Sequence, residues 1–178
     1  VALFTGCRLS ELLGLTWGAV DFKRGTITIN QQLARPEHRG ATPFISPKNG
    51  KTRTITPAAP VMTTLKKQQR RQMEQQLKSG ALWNNPHHMV FSTEIGEPLD
   101  QWKAEKEFSA VLEVAGLDGI RFHDLRHTYA VNAIRAGDDI KTIQGNLGHA
   151  SAAFTLDRYG HFTDRMKQDS AARMEGFM

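Results

Sequence analysis

The sequence predicts an α+β domain that is mainly helical, with a small antiparallel sheet of about three strands in its first third. Three observations predict it. Thr26-Ile-Thr-Ile-Asn-Gln-Gln-Leu33 alternates β-branched and polar residues, as a half-buried strand does. Asn49-Gly50 lies inside Phe44–Thr56, and both turn centres tolerate positive φ, so this stretch predicts a hairpin. From Pro60 onward, apolar residues recur at helical spacing between residues that start and stop helices.

Each element follows in order. Val1–Phe4 reads as the end of a buried helix, stopped at Thr5-Gly6. A second helix runs from Arg8 or Ser10 to Leu15, with Leu9, Leu12 and Leu13 at helical spacing. Asp21–Gly25 is a turn, Thr26–Leu33 the first strand, and Arg35–Pro43 a polar loop. Pro60–Gly80 is a long helix whose apolar stripe is Met62, Leu65, Met73 and Leu77. Asn84–His88 is a loop, followed by the short buried segment Val90-Phe91. Asp100 caps a helix that turns Phe108, Val111, Leu112 and Ala115 inward and ends at Gly116. Asp124–Ala136 is a helix closed by Gly137, and Asp139–Leu147 a short one with Ile140, Ile143 and Leu147 inward. Ala152–Arg158 and Thr163–Met174 are two more helical stretches.

The bulk numbers narrow the function. A chain of 178 residues predicts one domain. The 23 Lys and Arg against 18 Asp and Glu leave a net charge of +5, which permits a nucleic-acid partner without demanding one. The single cysteine, Cys7, excludes an internal disulfide and a cysteine-based zinc site, and it fits a reducing cytoplasm. No apolar run is long enough to span a membrane. The chain opens on Val1 in what reads as mid-helix, without a starting Met or a signal peptide. That leads us to expect residues 1–178 to be a single-domain fragment whose N-terminal part has been removed.

The chemistry-bearing residues gather in boxes. His123 and His127 stand one helical turn apart, with Arg126 on the same side. The spacing is that of a zinc-protease motif, but Asp124 replaces its Glu and Arg126 would repel a metal. Read alone, this box is a helix start with an acid near the positive dipole. Leu147-Gly148-His149 ends a helix on a left-handed glycine and leaves His149 at its tip. Tyr159, in Tyr159-Gly-His161, is a weak nucleophile at neutral pH unless cations and a base surround it. Upstream, Thr5-Gly-Cys-Arg8-Leu-Ser-Glu11 puts an Arg just after a Gly break, and an N-terminal helix Arg pairs readily with Glu11 in the next turn. Lys48 precedes the hairpin turn and Lys51 follows it, where long side chains can reach a ligand.

Together these boxes resemble the tyrosine recombinases, the phage-integrase family. The resemblance rests on Thr5-Gly-x-Arg8-x-x-Glu11-Leu12, the hairpin Lys48, His123-x-x-Arg126-His127, Leu147-Gly148-His149 and Tyr159-x-His161, in order over nearly the whole chain. The Ser-Pro-Lys-Asn-Gly hairpin looks most like integrases of phages and conjugative transposons. The resemblance implies a catalytic domain for site-specific DNA integration and excision through a covalent 3′-phosphotyrosyl intermediate. Tyr159 would be the nucleophile, and Arg8, Arg126 and His149 the donors on the phosphate oxygens. Lys48 would be the general acid and His123 the general base. Glu11, His127 and His161 would support the site.

The same resemblance implies no cofactor and no metal. It implies double-stranded DNA attachment sites as partner, a tetramer on DNA, a possible monomer as an isolated fragment, and accessory DNA-bending proteins. It also implies the cytoplasm of a bacterial host. An N-terminal DNA-binding domain, usual in the family, is expected to be absent from 1–178. Lys51 and Arg53 on the hairpin and Lys66, Lys67, Arg70 and Arg71 on the long helix are the candidate DNA contacts. Gly145-Asn146 stands where the family more often has apolar residues, which would loosen the short helix. Three alternatives stay open: a type IB topoisomerase-like nicking-closing enzyme, a non-catalytic DNA-binding module of the same fold, and a metal-dependent hydrolase built on the histidines.

Overall fold

The computed structural model describes residues 1–35, 37, 40, 42–47, 50–149, 151, 153, 174 and 175. Lys48, Tyr159 and His161 lie outside them, as do nearly all of the two helical stretches expected after Ala152. The described elements are α1 (Ala2–Thr5), α2 (Leu9–Leu13), β1 (Val20–Asp21), β2 (Thr26–Ile29), β3 (Gln32–Leu33), β4 (Phe44–Ile45), β5 (Arg53–Ile55), α3 (Ala59–Ser79), α4 (Gln101–Val114), α5 (Asp124–Ala136) and α6 (Ile140–Leu147). The architecture is mainly helical with a small antiparallel sheet early in the chain, as the sequence predicts.

That sheet has three strands in the order β1-β2-β5, with Val20 opposite Ile27 and Ile27 opposite Ile55. Its inward residues Val20, Ile27, Ile29 and Ile55 meet Leu12, Leu15, Val61, Met62, Leu65 and Val90 in one core cluster. Ala130, Ala133, Ile134, Ile143 and Leu147 form another, where α5 packs on α6.

Two sequence expectations differ from this arrangement. Thr26–Leu33 is two strands rather than one, and Phe44–Thr56 is not a single hairpin. After Ile29 the chain leaves the sheet. The Gln31 amide donates to Gly14 O at 2.9 Å, and Leu33 packs beside Leu13 at the end of α2. β3 there pairs with β4, Leu33 opposite Phe44, in a separate two-stranded ladder. The edge of β2 is thereby left for β5. Gly50 keeps the positive φ of +67° that its turn signal predicts. A turn signal is local, whereas the strand partner is chosen by where Ile55 can be buried.

The helices follow their caps. The Asp100 and Asp139 carboxylates accept the backbone N–H of Lys103 and Thr142, opening α4 and α6. The stripe of α3 departs from expectation. Met62 and Leu65 are buried, but Met73 and Leu77 are exposed. The second half of α3 instead packs through Gln72, whose Oε1 accepts the Trp17 indole N–H at 2.6 Å while its amide nitrogen donates to Met89 O and to Ser92 Oγ. In α4, Phe108 stands edge-on to Phe122 at 5.2 Å and Leu112 is half-buried, while Val111 and Ala115 face solvent.

Candidate active site

The first wall of the site is the break between α1 and α2. Gly6 ends α1 at φ +64°, and a Cβ there would lie 2.5 Å from Tyr129 Cδ1 and 2.6 Å from Leu147 Cδ2. Only glycine allows both that conformation and that approach of α5 and α6. Arg8 then opens α2 in an extended conformation, and its backbone N–H donates to Glu11 Oε2 at 2.9 Å. Glu11 is 1% exposed, and its carboxylate accepts three more hydrogen bonds. Arg8 Nη1 donates to Oε1 at 2.9 Å, Arg53 Nη1 to Oε1 at 2.9 Å, and Arg53 Nη2 to Oε2 at 2.7 Å. Burial pushes this carboxyl up, but the hydrogen bonds and charge of Arg53, with those of Arg8, outweigh it and hold it below the ordinary value.

The second wall comes from α5 and α6. Arg126 is 3% exposed; its Nη1 donates to Gly6 O at 2.7 Å and its Nη2 to Leu147 O at 2.6 Å. α6 then closes on Gly148 at φ +64°, which sends His149 out of the helix. The His149 N–H donates to Gln144 O at 3.1 Å, and the Gln144 amide donates back to His149 O at 3.2 Å. Gly145-Asn146 does not break this helix: Asn146 Nδ2 donates to the Tyr129 hydroxyl at 2.9 Å.

The structure thus brings Arg8, Glu11, Arg126 and His149 together from three separate parts of the chain. Electrostatics bind them as one unit. Burial first, then the charge of Arg8, lowers the Arg126 pKa to about 10. Burial and then the charges of Arg126, Arg8 and Arg53 lower His149 to about 4, so its ring is neutral near pH 7. His123, at the start of α5, is exposed and stands edge-on to the half-buried His127 with ring centres 5.0 Å apart. Burial, then His127 and Arg126, lowers the His123 pKa. The Arg8 and Arg53 guanidiniums share the single carboxylate of Glu11, while Arg126 is held by the carbonyls of Gly6 and Leu147, so three cations stand near one carboxylate and the cluster suits a further anion. Among the described residues, no group of three or more His, Cys, Asp or Glu side chains could hold a metal ion.

A sequence profile of the phage integrase family matches residues 1–166. The chain belongs to the phage integrase family. It is similar to a "tyrosine recombinase XerC-like" protein of Caldanaerobacter subterraneus subsp. tengcongensis, 29% identical over 96% of this chain and 46% of that protein. It is also similar to the integrase of Staphylococcus phage L54a, 27% identical over 98% of this chain and 50% of that one. The chain therefore spans about half the length of the curated relatives it matches. Its fold is that of the Tn1549 transposon integrase solved in complex with a circular intermediate DNA, with a TM-score of 0.75 at 22% identity over 97% of this chain and 56% of that one. The crystal structure of XerA recombinase gives 0.69 at 23%, over 92% and 55%.

In this phage integrase chain the candidate DNA contacts divide. Lys51, Lys66, Lys67, Arg70 and Arg71 are exposed, the last four on the face of α3 turned away from Val61, Met62 and Leu65. Arg53 does not join them. Its side chain is 10% exposed, and its guanidinium is turned inward onto Glu11. Its charge predicts a surface contact, but Arg53 and Ile55 share the inward side of β5.

Proposed function

We propose that residues 1–178 are the catalytic domain of a site-specific tyrosine recombinase that cuts and rejoins duplex DNA. The observation that carries this reading is that Arg8, Arg126 and His149 come together: Arg8 is held by the buried Glu11 carboxylate, Arg126 by the carbonyls of Gly6 and Leu147, and the charges of both lower the His149 pKa. A phosphodiester is the anion that suits it. Guanidinium forks donate in a plane and stay charged, and a neutral His149 adds one ring N–H. These donors stabilise the charge that builds on the phosphoryl oxygens as phosphorus becomes five-coordinate.

The Tyr159 hydroxyl attacks phosphorus and loses its proton, with His123 as base. The bond from phosphorus to the 5′-oxygen breaks, and Lys48 protonates that oxygen as it leaves. A 3′-phosphotyrosyl link remains. Attack on that link by the 5′-hydroxyl of a second strand reverses each step and joins a new partner, so one ester bond replaces another without ATP. Glu11 orients Arg8, and His127 and His161 have supporting roles. The partners are attachment-site duplexes, bound by four copies of the protein with DNA-bending proteins assisting, in the cytoplasm of a bacterial host.

The test is a nicked duplex carrying the sequence that the chain selects from a random-sequence pool, incubated in EDTA. The expected result is a protein–DNA adduct that survives denaturation and is absent with Tyr159→Phe. Relaxation of a supercoiled plasmid without exchange between two duplexes would favour the nicking-closing enzyme. Binding without an adduct would favour the non-catalytic module. Cleavage abolished by EDTA, or an adduct formed by the Phe variant, would overturn the proposal.

A further inference from the structure

Arg53 lies on β5, 42 residues from Glu11 and 93 from Asn146, yet its guanidinium touches both. Nη1 and Nη2 grip the two oxygens of Glu11 as a fork, and Nε donates to the carbonyl of Asn146 at 2.8 Å. Asn146 belongs to the last turn of α6, three residues before His149. One planar group therefore ties the segment carrying Arg8 to the helix end carrying His149. Arg126 makes the same tie from α5, through Gly6 O and Leu147 O. The two arginines bridge the same pair of segments from different elements.

Such an arrangement is not explained by stability. Burying an ion pair costs desolvation that an apolar pair of similar volume avoids. What the fork supplies is direction, because its five N–H bonds are fixed in one plane. A lysine could hold the charge but not the plane.

We infer that Arg53 is a positioning residue: it locks the Gly6–Glu11 segment to the C-terminal turn of α6, so that Arg8 and His149 meet the same phosphate. The inference rests on the recombinase reading above and adds to it a residue that need not touch DNA. It replaces the surface role expected for Arg53.

The test is Arg53→Lys, which keeps the charge and loses the fork. Two readouts are taken on the folded variant. With the selected nicked duplex, single-turnover adduct formation at saturating DNA should fall about a hundredfold, the effect of a small displacement of catalytic groups, while DNA affinity stays within about twofold. In the free chain, NMR titration of the His149 ring should show its pKa climbing from about 4 toward 6.5, although the positive charge at position 53 is still present. Unchanged rate and unchanged His149 titration would overturn the inference. So would lost DNA affinity with an unchanged rate at saturation, the mark of a direct phosphate contact.

If Arg53→Lys does not fold, Glu11→Gln carries the same two readouts. Hydrogen exchange of the Arg53 Nε–H in the unmodified chain supplies a third. Slow exchange supports the tie, and exchange as fast as that of an exposed arginine overturns it. If the unmodified chain forms no adduct, the recombinase reading fails, and the His149 titration still decides whether Arg53 positions that side chain.

Discussion

The cluster around Glu11 and the outer face of α3 both gather arginines, and they use them in opposite ways. In the cluster, Arg53 and Arg126 have little exposure, and their N–H groups are committed to a carboxylate and to backbone carbonyls. On α3, Lys66, Lys67, Arg70 and Arg71 stand in water. Lys66 sets its Nζ over the Phe22 ring, 5.8 Å from the centroid. A cation held by its neighbours presents its remaining donors at a fixed place, which a reaction needs. A cation on a solvated stem supplies attraction to a phosphate backbone but no geometry.

The two regions should differ most in their response to losing a carboxylate. Glu11→Ala leaves buried guanidiniums without their partner and should cost about 3–5 kcal/mol. For a chain of this size that is a fall in Tm on the order of 10 °C. Glu74→Ala on the exposed side of α3 should change stability by less than about 0.5 kcal/mol. Thermal melts of the two variants side by side check this, and equal effects would erase the distinction between the regions.

Acid should act on the cluster next, with a defined sign. His149 is held at about 4 in the folded chain against an ordinary 6.5, so unfolding takes up a proton as the pH falls. Its contribution to stability is whole above pH 6.5 and is lost progressively as the pH drops toward 4. Glu11 is held below its ordinary 4.5, so the stability it contributes is present above that value and is lost below it. Both effects run the same way, and Tm should decline from pH 7 to pH 4. His149→Gln should flatten the upper part of that decline. A Tm that rises on acidification would contradict the electrostatics described for the cluster.

The helices of the site were legible because their signals are local. Gly137 closes α5, and Asp139 and Gly148 bound α6, each through caps that act within one turn, while Asp124 opens α5 as its first residue and accepts the Arg121 backbone N–H. The ordered boxes also pointed to Arg8, Arg126 and His149 as a set, which the fold brings together. What was illegible depends on distant partners. Asn49-Gly50 announced a turn but could not say that β4 would pair with β3 and β5 with β2. Gln72 was not readable as a buried residue, because its place is made by Trp17, Met89 and Ser92. Arg53 was misread as a surface cation for the same reason: its partner Glu11 sits on another element, and charge alone does not tell an inward arginine from an outward one.

On the proposed reading, the buried cluster performs the reaction and the outer cations only hold DNA. Single-turnover adduct formation and Kd, measured on the same selected duplex for Arg126→Lys and for the double variant Lys67→Gln/Arg70→Gln, separate these two roles. Arg126→Lys should lose about 10²–10³-fold in rate at saturating DNA with Kd nearly unchanged. The double variant should keep its rate, bind more weakly, and lower the slope of log K against log salt by about 2. A full cleavage rate for Arg126→Lys, or a lost rate at saturation for the double variant, would contradict the claim.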